Sequence, residues 1–285
     1  MFGPNKISDF SHCLSFSHRT EKFKKIYRET TNALKDKFDL HEFDILFIPG
    51  SGTTAMEAVM SSLKVPANVT GHPGKFKSRW KDFLSSMDKL GLSNDVPLFC
   101  QLETSTGQSF EQPGGIVDAI SSFPYYKIPP NTKCFVTCSN KQLGAFPGLG
   151  IVCVRKDSWD MFYEKRAHFT TRDLSLYREK ALEDQTPTTC GTQIFEHLLQ
   201  RMKDFEINKH RESINDNCKI IEESVKKVEN PMPCPVINIK KKFIKEKVAK
   251  KYEIYNHNNN SEVYQIFSYS NDSDQYKKLS KELLK

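Results

Sequence analysis

The chain predicts an α/β protein: a large unit with a mostly parallel central sheet flanked by helices, then a small C-terminal α+β unit. Three observations predict it. Short runs such as Phe43–Ile48, Lys133–Cys138 and Leu149–Val154 are apolar without alternation, as strands covered on both faces are. Amphipathic segments with the period of a helix lie before, between and after them. At 285 residues, the chain is long enough for one large domain and a smaller one. The expected division is an N-terminal segment over 1–20, a large domain over 21–208, and a small domain over 209–285 whose first helix links the two.

The elements follow in order. Residues 20–38 form a helix with Phe23, Ile26, Tyr27, Thr30 and Leu34 near one face. Phe43–Ile48 is a strand running into Pro49-Gly50-Ser51-Gly52-Thr53. A helix then turns Met56, Val59, Met60 and Leu63 inward, and the capping-box spacing of Thr54 and Glu57 starts it just after the glycines. Val96–Leu102, Gly115–Asp118, Lys133–Cys138 and Leu149–Val154 read as strands. Helical periodicity returns at 192–205 and about 209–228. Strands near Val236–Ile239, Tyr252–Tyr255 and Val263–Tyr269, a polar loop at Asn256–Ser261 and a last helix from about Asp274 complete the small unit.

Composition narrows the class. The chain is 38% hydrophobic and 27% charged, which suits a soluble globular protein. No stretch of about 18 apolar residues offers a membrane span. Met1-Phe2-Gly3-Pro4-Asn5-Lys6 lacks the apolar block of a signal peptide, so a cytoplasmic location is expected. The eight cysteines show no Cys-x-x-Cys spacing and read as reduced thiols, with no metal site. The formal charge of +7 is concentrated at Lys240, Lys241, Lys242, Lys245, Lys247, Lys250 and Lys251. Such a run reads as a solvated face. No aromatic stacking pattern accompanies it, so nucleic acid or another polyanion is not the expected partner.

The chemistry-bearing residues stand at strand ends. Asp118 closes one predicted strand, and Lys141 follows the next in Ser139-Asn140-Lys141-Gln142-Leu143. An aldehyde cofactor on a pyridine ring needs this pair: a lysine amine to form a Schiff base, and a carboxylate to keep the ring nitrogen protonated. Gly50–Thr53 opens a helix, where free N–H groups and the helix dipole can hold a phosphate. The Lys141–Asp118 pair makes the chain readable as a pyridoxal 5'-phosphate (PLP) enzyme.

These motifs stand in a recognisable order. Gly50-Ser51-Gly52-Thr53-Thr54-Ala55-Met56-Glu57-Ala58 is similar to the Gly-Ser-Gly-Thr-x-Ala-x-Glu-Ala of class V aminotransferases, and Glu103-Thr104-Ser105-Thr106-Gly107 resembles their Glu-(Ser/Thr)-(Ser/Thr)-Thr-Gly. Val117–Ser122 and Ser139–Leu143 complete the set. The resemblance runs from about residue 18 to 211 and is strongest over 47–155. It looks closest to the 2-aminoethylphosphonate–pyruvate and alanine/serine–glyoxylate branch, in shortened form. It implies PLP fold type I, catalytic roles for Lys141 and Asp118, and a phosphate site at Ser51, Gly52 and Thr53. It further implies that Phe76 stacks on the ring, that Thr104 and Asn140 lie beside it, and that Thr188, in Gln185-Thr186-Pro187-Thr188-Thr189, reaches a neighbouring subunit's phosphate in a homodimer with shared sites.

Two departures stand out. Only a short stretch separates Gly107 from Asp118, where relatives insert a helix, so a loop is expected to make that crossover. Gln265, in Val263-Tyr264-Gln265-Ile266, stands where relatives carry an arginine that grips the substrate carboxylate, and no arginine follows Arg211. Arg19, Arg79 and the lysines of 240–251 are the candidates to replace it. The implied activity is transfer of an amino group from a small amine or amino acid to a 2-oxo acid. A PLP-dependent lyase or decarboxylase on the same scaffold, and a non-catalytic binding homologue, are the alternatives.

Overall fold

The computed structural model describes residues 16–164, 172–225, 228–256, 262–270 and 272–283. Most of the expected N-terminal segment, and the Asn-rich loop beyond Asn256, lie outside the described residues.

The first helix, α1 (Glu21–Phe38), starts at Thr20, whose hydroxyl accepts from Phe23 N, and ends at Asp39 in the left-handed conformation. The five residues expected on its inner face are the five that it buries. Strand β1 (Phe43–Pro49) leads through Gly50 into α2 (Gly52–Ser62). Strand β2 (Ala67–Val69), helix α3 (Lys75–Ser86) and strand β3 (Val96–Cys100) follow. A small hairpin of β4 (Leu102–Glu103) and β5 (Gln108–Ser109) precedes β6 (Ile116–Asp118), β7 (Cys134–Cys138) and β8 (Leu149–Arg155). Helices α4 (Leu174–Ala181), α5 (Thr192–Asp204) and α6 (Ile207–Glu222) come next, then β9 (Val236–Lys240), α7 (Glu246–Lys251), β10 (Val263–Phe267) and α8 (Ser273–Leu283).

Six strands form the central sheet in the order β1-β8-β7-β6-β3-β2. Strands β2, β3, β6 and β7 pair in parallel. Strand β8 is antiparallel to both of its neighbours, so β1 shares the direction of the parallel set. The sheet is buried on both faces, which explains the unbroken apolar runs. Phe47, Phe99, Val117, Phe135 and Ile151 pack with Phe23, Tyr27 and Phe195 of α1 and α5 on one side. Ile48, Leu98, Ile116, Val136 and Val152 pack with Met56, Trp80, Leu84 and Tyr177 of α2, α3 and α4 on the other. Each large side chain so buried contributes about 1.5–3 kcal/mol. A third cluster joins Ile214, Cys218 and Ile221 of α6 to the antiparallel β9–β10 pair and to Tyr276 and Leu279 of α8.

The crossover from β3 to β6 is parallel, as in a full-length connection, but it runs through the β4–β5 hairpin instead of a helix. Two local expectations need correction. Tyr252–Tyr255 is not a strand: Tyr252 caps α7, Glu253 has a left-handed φ of 48°, and Tyr255 makes a single bridge to Gln265. The capping box of α2 is formed by Ser51 and Thr54, so the helix begins at Gly52, between the motif's hydroxyl residues. Glu57 pairs instead with Arg172 at 3.0 Å.

Candidate active site

The ends of β3, β6 and β7 lie side by side, with Cys100, Asp118 and Val136 in register. Crevices at the carboxyl ends of parallel strands collect ligands because the chain departs there into loops and helix N-termini. A cavity of about 430 Å³ opens at this edge. Its lining includes Ser51, Gly52, Thr53, Phe76, Thr104, Asp118, Asn140 and Lys141. Eight of the nine residues predicted for the site therefore meet in one place. The ninth, Thr188, lies outside this lining; its hydroxyl is 3.3 Å from the Tyr177 hydroxyl, and its carbonyl accepts from Thr186 Oγ1 at 2.9 Å.

Asp118 is 3% exposed. Its Oδ2 accepts from Trp80 Nε1 at 2.8 Å and its Oδ1 from Ile120 N at 3.1 Å. Burial pushes its carboxyl up to about 6, against the pull of the Ile120 and Trp80 hydrogen bonds. Both donors are neutral. A buried carboxylate without a paired cation carries an uncompensated charge, so the site can accept a cationic heterocycle nitrogen.

Helix α2 points its start at the same cavity. Ser51 and Thr54 cap each other, Oγ to N in both directions. Gly50 has φ 134° and donates its N–H to Gly148 O at 2.9 Å, which turns β1 sharply into the helix. At Gly52 a Cβ would stand 2.7 Å from Ile120 Cγ1. The missing side chain thus lets the helix N-terminus approach the loop behind Asp118. First-turn N–H groups have no intrahelical acceptor, and those of Gly52 and Thr53 are positioned for an anion.

Lys141 sits on a turn pinned at its base. Ser139 Oγ donates to Phe146 O at 2.5 Å, and Ala145 N to Ser139 O at 2.8 Å. The next residue, Gln142, ties the turn to the chain after Asp118: its Nε2 donates to Ser121 O at 2.6 Å, and its Oε1 accepts from Tyr125 N at 3.1 Å. The Oε1 is also 3.1 Å from His210 Nε2 on α6. Because the Tyr125 amide can only donate, the oxygen faces it, and His210 must donate through Nε2. Burial pushes His210 down to about 4, so the ring is neutral at ordinary pH. The Lys141 ammonium lies 5.3 Å from the Phe267 ring centroid, on β10.

Phe76 stands in the first turn of α3, and the helix start is capped from a distance. Glu103 Oε2 accepts from Phe76 N and Lys77 N at 3.0 and 3.1 Å. A Cβ on Gly74 would lie 2.1 Å from Glu103 Cγ, so only glycine leaves room for this carboxylate. Of the proposed substitutes for the family arginine, Arg79 lines the cavity; Arg19 and the lysines of 240–251 do not. Residues that the sequence reading missed include Trp80, which holds Asp118 and carries no local signal, and Tyr255, Phe267 and Tyr269, which close the cavity from the C-terminal unit.

The fold is similar to that of several solved proteins. A phosphoserine aminotransferase from Cytophaga hutchinsonii superposes with a TM-score of 0.79 at 19% identity, covering 94% of this chain and 90% of that one. For ureidoglycine–glyoxylate aminotransferase from Bacillus subtilis the score is 0.81 at 13% identity, with 96% and 87% covered. The fold is PLP fold type I. A PLP-bound phosphoserine aminotransferase from Trichomonas vaginalis shares it at a TM-score of 0.73 and 17% identity, over 95% of this chain and 90% of that one. These fold type I neighbours are class V-type aminotransferases, the group that the motif order resembles. In sequence, the chain is 30% identical over 216 residues to the soluble hydrogenase 42 kDa subunit of Anabaena cylindrica. That match covers 60% of this chain and 56% of the relative's length. No family model matches the chain.

Proposed function

We propose that this chain is a PLP-dependent aminotransferase that uses Lys141 as the cofactor-bearing amine. The supporting observation is that Lys141, Asp118 and the first turn of α2 line one cavity on a fold type I sheet. Among the described residues Asp118 has no cationic partner, and a protonated pyridine nitrogen would supply one. The α2 N–H groups, with the Ser51 and Thr53 hydroxyls, would hold the phosphate, and Phe76 would lie against the ring face. Thr104 and Asn140 would border it. When bound, the cofactor supplies an electron sink for the bond that breaks at the substrate carbon.

The chain's own residues would do the rest. Asp118 would keep the ring nitrogen protonated through a charge-assisted hydrogen bond. The Lys141 amine would move a proton to and from the substrate carbon as general base and acid. Gln142 and His210 hold the turn that carries it. The donor is a small amine or amino acid; a 2-oxo acid is the acceptor that the sequence resemblance implies. No described helix is long and apolar enough to cross a membrane, and the described cysteines are all free, which suits a cytoplasmic enzyme. The working form is taken as a homodimer, with Thr188 serving the neighbouring site.

Purified protein incubated with PLP should show a visible absorption band. Adding amino donors should convert that band to the pyridoxamine form and leave it there until an acceptor is added. A band that always returns, with release of carbon dioxide or a cleaved product, would assign the lyase chemistry instead. Protein that takes up no PLP would favour the non-catalytic alternative.

A further inference from the structure

The C-terminal unit closes the cavity with Tyr255, Gln265, Phe267 and Tyr269. Gln265 is 2% exposed. Its Nε2 donates to the Thr104 carbonyl oxygen and, at 3.0 Å, to Asn238 Oδ1. Asn238 in turn donates from Nδ2 to the same Thr104 carbonyl at 3.4 Å. A backbone carbonyl accepts only, so both amides are fixed in orientation. Both N–H bonds of Gln265 are thereby used inside the wall. Its Oε1 meets no donor among the described residues, so the group left for a ligand is an acceptor.

Among the described residues, the cations that line the cavity are Lys75, Arg79 and Lys141. Lys75 and Arg79 belong to α3, and Lys141 to the turn after β7; none belongs to the C-terminal wall. A carboxylate set against that wall would face a carbonyl oxygen and aromatic rings whose faces are electronegative. Among the described residues, tyrosine hydroxyls are the wall's remaining polar side-chain groups, and they carry no charge to offset desolvation.

We infer that the cavity takes primary amines whose amine-bearing carbon carries no carboxylate, with any anionic group placed farther along the molecule toward Lys75 and Arg79. This rests on the aminotransferase reading above. In the transfer, the C–N bond of the amine breaks. The nitrogen and the electron pair of the lost C–H bond pass to the cofactor, Lys141 relays the proton, and water oxygen completes the aldehyde or ketone that leaves. The same wall receives the acceptor in the return half, so the 2-oxo acid implied by the resemblance gives way to an aldehyde or ketone without an adjacent carboxylate.

Matched pairs test this on the PLP-loaded protein: 4-aminobutyrate against glutamate, and 2-phenylethylamine against phenylalanine. Loss of the visible band should be about 100-fold faster, or more, for the member without the α-carboxylate. A second readout needs no turnover. Calorimetric titration with unreactive 3-phenylpropionate should show binding at least tenfold tighter to the Gln265→Arg variant than to the wild type, whose lining cations stand on α3 and on the turn after β7. Equal or faster conversion by the α-amino acid of either pair overturns the inference. So does conversion by none of the four, or binding of 3-phenylpropionate that is no tighter to the Gln265→Arg variant than to the wild type. Failure to take up PLP would overturn the inference together with the function on which it rests.

Discussion

Asp118 and His210 carry opposite linkages between protonation and folding, and both can be measured on the cofactor-free protein. Asp118 has a folded value raised to about 6. Its folded form holds a proton that the unfolded form releases, so its contribution is full at low pH and is lost as pH rises through about 6. His210, pushed down to about 4, contributes above its ordinary value and loses that contribution as pH falls toward 4. Between pH 7 and 5 the first gains about 1 kcal/mol and the second loses about 2 kcal/mol. Denaturant midpoints should show Asp118→Asn more acid-sensitive than the wild type over this span, and His210→Gln less so. Equal slopes for all three would contradict the burial assigned to both groups. Trp80→Phe keeps an aromatic ring, smaller than the indole, and removes the donor to Asp118. The carboxyl should then rise further, and PLP affinity near neutral pH should fall by about tenfold, the effect of one charge-assisted hydrogen bond. Unchanged affinity would show that Trp80 only fills space.

Helix starts decide the site at the next scale. Gly52→Ala puts a methyl 2.7 Å from Ile120 Cγ1, so α2 must shift away from the Asp118 loop, at a cost of about 1–3 kcal/mol. Thermal unfolding should register that loss, and inorganic phosphate should protect the variant less than the wild type. Glu103→Ala leaves Phe76 N and Lys77 N without their acceptor and should cost about 1–3 kcal/mol. A midpoint within error of the wild type would mean that α3 finds another cap. Elements were legible in the sequence where the signal was local. The inward face of α1 and the strands around Asp118 and Lys141 follow from periodicity and apolar runs alone. Helix α3 was not legible because its cap is Glu103, far along the chain, and Gly74 supplies no side-chain cap of its own. Tyr252–Tyr255 imitates a strand in composition, but the left-handed turn at Glu253 breaks it. Lys141 and Asp118 were singled out by chemistry type, and both line one cavity; Trp80 and Gln142 act only through tertiary contacts that leave no mark at fixed spacing.

At the scale of the whole molecule, the sheet supplies register and the C-terminal unit supplies the lid of the cavity. Parallel pairing of β3, β6 and β7 sets Asp118 beside the strand that leads to Lys141. Helix α6 then locks both loops, since Arg211 donates from Nε to Tyr125 O at 2.9 Å while His210 holds Gln142. The β3–β6 crossover, made through a hairpin, is compatible with the parallel register that aligns Cys100 with Asp118. A homodimer with shared sites should appear as twice the chain mass, 65.6 kDa from the 32.8 kDa chain, in light scattering; a monomeric mass at micromolar concentration would leave Thr188 without the role proposed for it. The most direct measurement of the central claim is borohydride reduction of the PLP-incubated protein, followed by peptide mapping. The account predicts one pyridoxyl group, on Lys141, and none in Lys141→Ala. A label on a different lysine, or no label on the wild type, would contradict it.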